Sequence, residues 1–246
     1  MAQKDWQFWS KCPEDDLELH LQRINGTLPE MESSKQLVKL LSDVYEPKMT
    51  VLDMGCNIGH YLPGIRKKFP TLDYTGFDAY EIFINKAKEI FSHDQFSKFD
   101  VKDIFNPISP ENPFDITFSC NVILHLPDFR IPIKNIISST KQVCYIRTLF
   151  GEKTSIVKIP EIANFDDSGN PLDYFYYNTW AKDYFTNFVN DLGWNVEFVS
   201  DEFNPEIIQN EFENTNKNVG TRIINGKQVI GNIIANWEWA KITPKN

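Results

Sequence analysis

Cysteine, basic runs and long apolar stretches are all scarce in this chain of 246 residues. The four cysteines, Cys12, Cys56, Cys120 and Cys144, are scattered and form no C-x-x-C pair. That spacing argues against a zinc knuckle or a disulfide framework and predicts free thiols in a reducing cytosol. Lys and Arg number 25 against 34 Asp and Glu, a formal charge of −9, and no basic cluster offsets it. Affinity for a polyphosphate backbone comes largely from several Lys or Arg contacts, so a nucleic-acid partner is disfavoured. No stretch approaches the ~20 consecutive apolar residues of a membrane-crossing helix. The first sixteen residues lack the apolar core of a signal peptide, so a cytoplasmic protein without membrane contact is expected. In that setting the Asn25-Gly26-Thr27 sequon reads as chance. Nothing in the sequence speaks to oligomeric state.

What is present is aromatic and regularly patterned. Phe, Tyr and Trp make up 14% of the chain, a share suited to an enclosed pocket as well as a core. Strand patterns at 49–54, 73–77, 96–101, 114–119 and 142–148 alternate with helical ones at 59–69, 80–91 and 130–139. Such alternation predicts a parallel sheet with helices on both faces. Beyond residue 150 polarity is mixed, with a turn signal at Asp166-Asp167-Ser168-Gly169-Asn170-Pro171 and an aromatic run, Tyr174-Phe175-Tyr176-Tyr177. A helix is expected over 179–192, stopped by Gly193, then strands over 194–201 and 228–242 flanking a polar loop at 204–225. Two helices, over 14–24 and 31–41, precede the sheet and fit a lid laid over a ligand.

The segment Val51-Leu52-Asp53-Met54-Gly55-Cys56-Asn57-Ile58-Gly59-His60 reads as a buried strand, a tight turn of small residues, and a helix start. Gly55 and Gly59 remove side chains that would hold a ligand off the backbone, as a nucleotide-like cofactor at a sheet's carboxyl edge requires. Asp78 follows one βα unit later. This order, with Asp103 after the third strand, resembles class I S-adenosylmethionine-dependent methyltransferases over about residues 48–150. Members of that family place the acid two positions before the glycine, where dinucleotide dehydrogenases have a glycine.

The resemblance implies S-adenosylmethionine as cofactor and a single α/β domain with a seven-stranded, mostly parallel, doubly wound sheet and an antiparallel C-terminal strand. Residues 1–47 would form the helical lid, 48–149 the cofactor-binding half, and 150–246 an acceptor-side insertion with the closing strands. It implies that Asp53 and the turn of Gly55, Cys56, Asn57 and Gly59 hold the methionine portion. Asp78, with Ala79 beside it, would take the ribose hydroxyls, since one carboxylate can accept from both members of a vicinal diol. Asp103 and Ile104 would meet the adenine, and Asn121 and Val122 would flank the sulfonium. Asn57 departs from the third glycine of many members, but Asn tolerates left-handed backbone angles. The bland readings are an N-cap for Asp78 and an ordinary loop acid for Asp103.

Methyl transfer from a sulfonium mainly requires alignment of the acceptor and, for a hydroxyl, removal of a proton. His125, just beyond the fourth strand, is the candidate base; its alternative is packing of the following turn. Arg147, inside an apolar strand, either grips an acidic substrate or pairs with an internal acid. Tyr176, Tyr177 and Trp180, with Tyr174, form either an acceptor wall or core, and Trp6, Phe8 and Trp9 either close over the cofactor or staple the lid. No Asn-Pro-Pro-Tyr segment, Pro-Cys nucleophile or catechol-type Asp set is present, so no metal dependence is expected. The expected activity is metal-independent methylation of a hydroxyl, or an amine, on a small molecule or sugar. The rivals are an RNA or protein methyltransferase, a non-catalytic cofactor-binding protein, and a nicotinamide oxidoreductase.

Overall fold

The computed structural model describes residues 14–108, 111–160, 165–172, 174–206 and 221–245. Trp6, Phe8, Trp9 and Cys12, assigned above to the lid or to free thiols, lie outside the described residues, as does most of the expected 204–225 loop. The chain opens with α1 (Glu14–Ile24) and α2 (Glu32–Ser42), then β1 (Thr50–Met54), α3 (Leu62–Lys68), β2 (Asp73–Asp78), α4 (Glu81–Ile90) and β3 (Ser97–Val101). There follow β4 (Phe114–Cys120), α5 (Arg130–Ser138) and β5 (Thr140–Gly151). Short strands β6 (Lys158–Pro160), β7 (Tyr174–Tyr176) and β8 (Trp180–Ala181) lead to α6 (Lys182–Asp191) and β9 (Trp194–Ser200). The chain closes with β10 (Thr221–Ile224), β11 (Lys227–Ile230), β12 (Ile233–Ile234) and β13 (Trp237–Pro244).

The central sheet has the order β3-β2-β1-β4-β5-β13-β9, with β8 pairing on the end of β5. β1 to β5 are parallel to one another, and β13 is antiparallel to both β5 and β9. Strands at the centre are buried on both faces: four of the five residues of β1 and every residue from Val143 to Phe150 in β5 are buried. Continuous rather than alternating burial is what a parallel sheet covered on two sides demands. Successive residues of β1 accordingly serve different cores. Val51 joins Leu37, Leu41, Leu62, Ile65 and Ile84 from α2, α3 and α4. Leu52 and Met54 join Ile133, Ile136, Phe185 and Val189 from α5 and α6. A smaller cluster sets Leu17, Leu21 and Ile24 of α1 on Ile58 and Phe83, above the first turn.

Three expectations about local structure change. The helix expected from residue 59 begins at Leu62, because Asn57 and Gly59 adopt positive φ angles of 52° and 79° that a right-handed helix excludes. The strand expected over 228–242 divides: β11 and β12 belong to a separate three-stranded sheet with β10, and only β13 enters the central sheet. The last residues of the expected polar loop form β10. Its partner β11 follows the two-residue turn Asn225-Gly226, with φ angles of 51° and 73°. Asn-Gly is the strongest short hairpin signal in a sequence, and it was available here.

Candidate active site

At the carboxyl end of β1 the chain turns through Gly55 at φ 84°, and the N–H groups of Gly55 and Cys56 donate to the Phe77 carbonyl at 2.7 and 3.0 Å. A β-carbon on Gly55 would stand 2.3 Å from Val122 Cγ2, so only glycine lets this turn meet the loop after β4. Asn57 N–H donates to Asp78 Oδ2 at 2.9 Å, while Tyr80 N–H donates to Asp78 Oδ1 at 3.1 Å. Asp78 thus ties the first βα turn to the second. Burial raises its carboxyl to about 6, against the opposing pull of those backbone donors.

A cavity of about 270 Å³ opens between these turns and the loop after β4. Of the residues assigned to the cofactor from sequence, Gly55, Asn57, Asp78, Ala79, Asp103, Ile104, Asn121 and Val122 line it, and so does His125. Asp103 accepts from Phe105 N–H at 2.9 Å within its own loop. Asp53, Cys56 and Gly59 do not line the cavity. Side chains alternate along β1, so Met54 faces the cavity and Asp53 projects to the other side. There Asp53 is 2% exposed and accepts the Tyr74 hydroxyl at 2.7 Å. Desolvation raises its carboxyl to about 8, so it stands protonated at neutral pH. Cys56 is packed beneath Gly76, and a β-carbon on Gly59 would press on Phe91 and Phe99. These residues shape the turn from behind.

Of the two readings open for the acceptor-side residues, Arg147 and Trp180 take the internal one. Arg147 is buried in a fork with Asp201, its Nε and Nη2 donating to Oδ1 and Oδ2 at 2.7 and 2.9 Å, so its charge is already matched internally. Trp180 is 2% exposed and stacks edge-on against Phe129 in the core, because β8 extends β5 on the helix-covered side. Tyr176 and Tyr177 do not line the cavity either. They reach it through His125: the Tyr176 carbonyl lies 2.8 Å from His125 Nδ1, and the Tyr177 ring meets the imidazole edge-to-face at 5.2 Å.

His125 ends a short 3-10 helix, Ile123–His125. A carbonyl accepts only, so Nδ1 carries the proton and Nε2 holds the lone pair. Burial lowers the ring to about 4, keeping it neutral at physiological pH. The loop is further bolted to the insertion by buried Asn178. Its N–H donates to the Leu124 carbonyl at 2.9 Å and its Nδ2 to the Leu126 carbonyl at 2.8 Å.

Sequence reasoning missed the roof of the cavity. His20 of α1 and His60, just past the first turn, both line it and stack with ring centroids 3.9 Å apart and planes 16° apart. Burial holds both rings neutral, His20 at about 4 and His60 well below its ordinary value. Tyr80, Phe83 and Phe105 add aromatic surface. His60 adjoins the motif in sequence, but its partner lies 40 positions earlier, on a helix whose docking no local pattern encodes.

The chain is similar to known methyltransferases in part of its sequence and in its fold. Residues 52–144 match the family of methyltransferase domains. Phosphoethanolamine N-methyltransferase of Plasmodium falciparum is 34% identical over 89 residues, which are 36% of this chain and 33% of that protein. The 2-methyl-6-phytyl-1,4-hydroquinone methyltransferase of Synechocystis is 29% identical over 99 residues, 40% of this chain and 31% of that protein. The matched stretch therefore spans about a third of each curated relative's length. Magnesium protoporphyrin IX methyltransferase from Synechocystis, solved with S-adenosylmethionine bound, superposes with a TM-score of 0.61 at 12% identity over 99% of both chains. An S-adenosylmethionine-dependent methyltransferase from Clostridium acetobutylicum gives 0.58 at 11% identity, over 96% of this chain and all of that one. The matched segment is similar to methyltransferase domains, and the mostly parallel central sheet of seven strands has the fold of the solved S-adenosylmethionine-dependent methyltransferases. The solved magnesium protoporphyrin IX methyltransferase holds S-adenosylmethionine in one structure and S-adenosylhomocysteine in another. The turn fits S-adenosylmethionine: Asp78 takes backbone N–H groups of Asn57, Ala79 and Tyr80 and, with about four acceptor sites on a carboxylate, keeps capacity for a ribose hydroxyl.

No described helix is long and apolar enough to cross a membrane. Among the described residues, no group of three or more His, Cys, Asp or Glu is placed to hold a metal ion.

Proposed function

We propose that this protein transfers the methyl group of S-adenosylmethionine to a hydroxyl on a small molecule or sugar, without a metal, with His125 receiving the proton. One observation carries the reading: His125 lines the cavity, and the bond from its Nδ1–H to the Tyr176 carbonyl fixes a neutral ring in which Nε2 is the proton-accepting atom. The bound cofactor supplies an electrophilic methyl on a sulfonium. His125 Nε2 would receive the hydroxyl proton as the acceptor oxygen takes that methyl, the thioether being the leaving group. Asp78 holds the ribose diol, and Asp103 and Ile104 bracket the adenine. The helices α1 and α2 act as the lid, with His20 on the inner face, and residues 150–246 form the acceptor side by steadying His125. The relatives named above for phosphoethanolamine, a hydroquinone and magnesium protoporphyrin support a small-molecule acceptor, and a cytoplasmic location is part of the same proposal.

The test is S-adenosylhomocysteine release with a panel of sugars, phenols and alcohols beside matched amines. Release with hydroxyl acceptors, unaffected by chelator, supports the reading. Tight S-adenosylhomocysteine binding with no release from any compound would instead make this a cofactor-binding regulator.

A further inference from the structure

Arg147 was expected either to grip a substrate or to pair with an internal acid, and the geometry gives it a third task. Asn121 ends β4 in a left-handed conformation, φ 60°, with its N–H donating to the Arg147 carbonyl at 2.9 Å. Its side-chain Oδ1 accepts from Arg147 Nη1 at 2.6 Å. A guanidinium has donors and no acceptor, so the amide atom facing it has to be the oxygen. The guanidinium is itself immobile. Asp201 holds it by two parallel bonds of 2.7 and 2.9 Å, and the Trp237 ring lies 4.4 Å from its carbon. Asn121 Nδ2, the other end of the amide, bonds to no described residue and is not sealed from accessible space. Asn121 lines the cavity.

A buried ion pair is weak evidence for stability, because desolvation offsets most of the attraction. Its effect here is orientational. A flip of the amide would set NH2 against a cation, and Asp201 prevents the cation from moving aside. We propose that Arg147 and Asp201 are positioning residues that present Asn121 Nδ2 to the cavity as a fixed hydrogen-bond donor, selecting acceptors that offer an oxygen over those that offer an ammonium. This rests on the hydroxyl-transfer reading above and sharpens it. His125, four residues on and lining the same cavity, contributes the lone pair of Nε2. A donor at Asn121 and an acceptor at His125 complement a hydroxyl, which accepts one bond and donates one. An ammonium only donates and leaves Asn121 unmet, and sites built around a specific polar partner reject ligands that lack it.

The experiment uses the full chain, labelled with nitrogen-15 and saturated with S-adenosylhomocysteine. The Asn121 side-chain amide signals are assigned by their loss in Asn121→Asp. Phenol should shift those signals, and methylammonium chloride should not. Asn121→Asp should weaken phenol binding by about tenfold, the worth of one hydrogen bond, and should admit methylammonium. Arg147→Lys, which keeps the charge but loses the fork, should make the Asn121 amide mobile in a spectrum that is otherwise folded. If Arg147→Lys does not fold, the wild-type titrations decide alone. Equal shifts with phenol and methylammonium, or none with either, overturn the proposal. If Asn121 responds as expected while His125→Ala keeps full turnover, the base assignment fails and the Asn121 assignment stands.

Discussion

The wall around the first turn and the wall around His125 enclose one cavity by different means. Around the first turn the protein works through its backbone: positive φ angles at Gly55, Asn57 and Gly59, and N–H groups aimed at the Phe77 carbonyl and at Asp78. The one side chain that organises them lies 21 positions from Asn57. Around His125 the work is done by side chains reaching across the fold. His125 takes its tautomer from a carbonyl 51 positions away, Asn178 clamps the same loop across 52, and Arg147 meets Asp201 across 54. A cofactor common to many enzymes can be held by a local backbone device, whereas an individual acceptor calls for parts gathered from distant segments.

Asp78→Ala is the strongest way to break that contrast. It removes a charged acceptor for two ligand hydroxyls, each bond being worth about 1.5–3 kcal/mol, so affinity for S-adenosylhomocysteine should fall by roughly two to four powers of ten. Calorimetry showing near-normal affinity would end the ribose assignment. His125→Ala probes the other wall. Loss of a general base typically costs about 10²–10⁴ in rate, and the dissociation constant of S-adenosylhomocysteine should stay within about twofold. Unchanged turnover would reduce His125 to packing. Gly55→Ala should have a smaller effect that reads directly on the backbone device. A left-handed alanine whose β-carbon meets Val122 Cγ2 at 2.3 Å should cost about 1–3 kcal/mol of stability. Adding Val122→Ala should recover part of it in a melting experiment. No recovery would mean that the turn and the β4 loop do not press on each other.

The same contrast explains what could be read in the sequence. The spacing of Asp53, Gly55 and Gly59 and the placement of Asp78 made the sheet and the turn legible, because local conformation follows from nearby residues. Asp53, implied by the resemblance to hold the methionine portion, projects away from the cavity, as the alternation of side chains along a strand allows one to foresee from Met54. Arg147 and Trp180 were placed by residue type, and type does not say that Asp201 or Phe129 waits across the fold. The His20–His60 stack was invisible for the same reason. Asn225-Gly226, by contrast, was a local signal overlooked within a polar stretch.

The mildest expected effect is one of pH, and it separates the two walls electrostatically. Asp53 is raised to about 8 and Asp78 to about 6, so the folded chain binds more protons at these two carboxyls than the unfolded chain does. Each contributes stability that is fully present below the unfolded value near 4 and is lost as pH rises through the folded value. His20, His60 and His125 behave oppositely. Their folded values lie below the ordinary 6.5, so their contribution is present above that value and lost as pH falls. Between about pH 4 and 6 three histidines oppose two carboxyls, and stability should rise with pH. Above about 6.5 only Asp53 still titrates, and stability should fall toward pH 8 by up to about 1.4 kcal/mol per unit. The melting temperature of the cofactor-free protein should therefore peak near pH 6.5. Asp53→Asn keeps an acceptor for the Tyr74 hydroxyl without a titrating group, and should flatten the alkaline side and steepen the rise between about pH 4 and 6. A decline of equal slope in that variant would show that Asp53 is ionised in the folded protein, and that the first turn carries a buried charge where the geometry gives it a neutral acid.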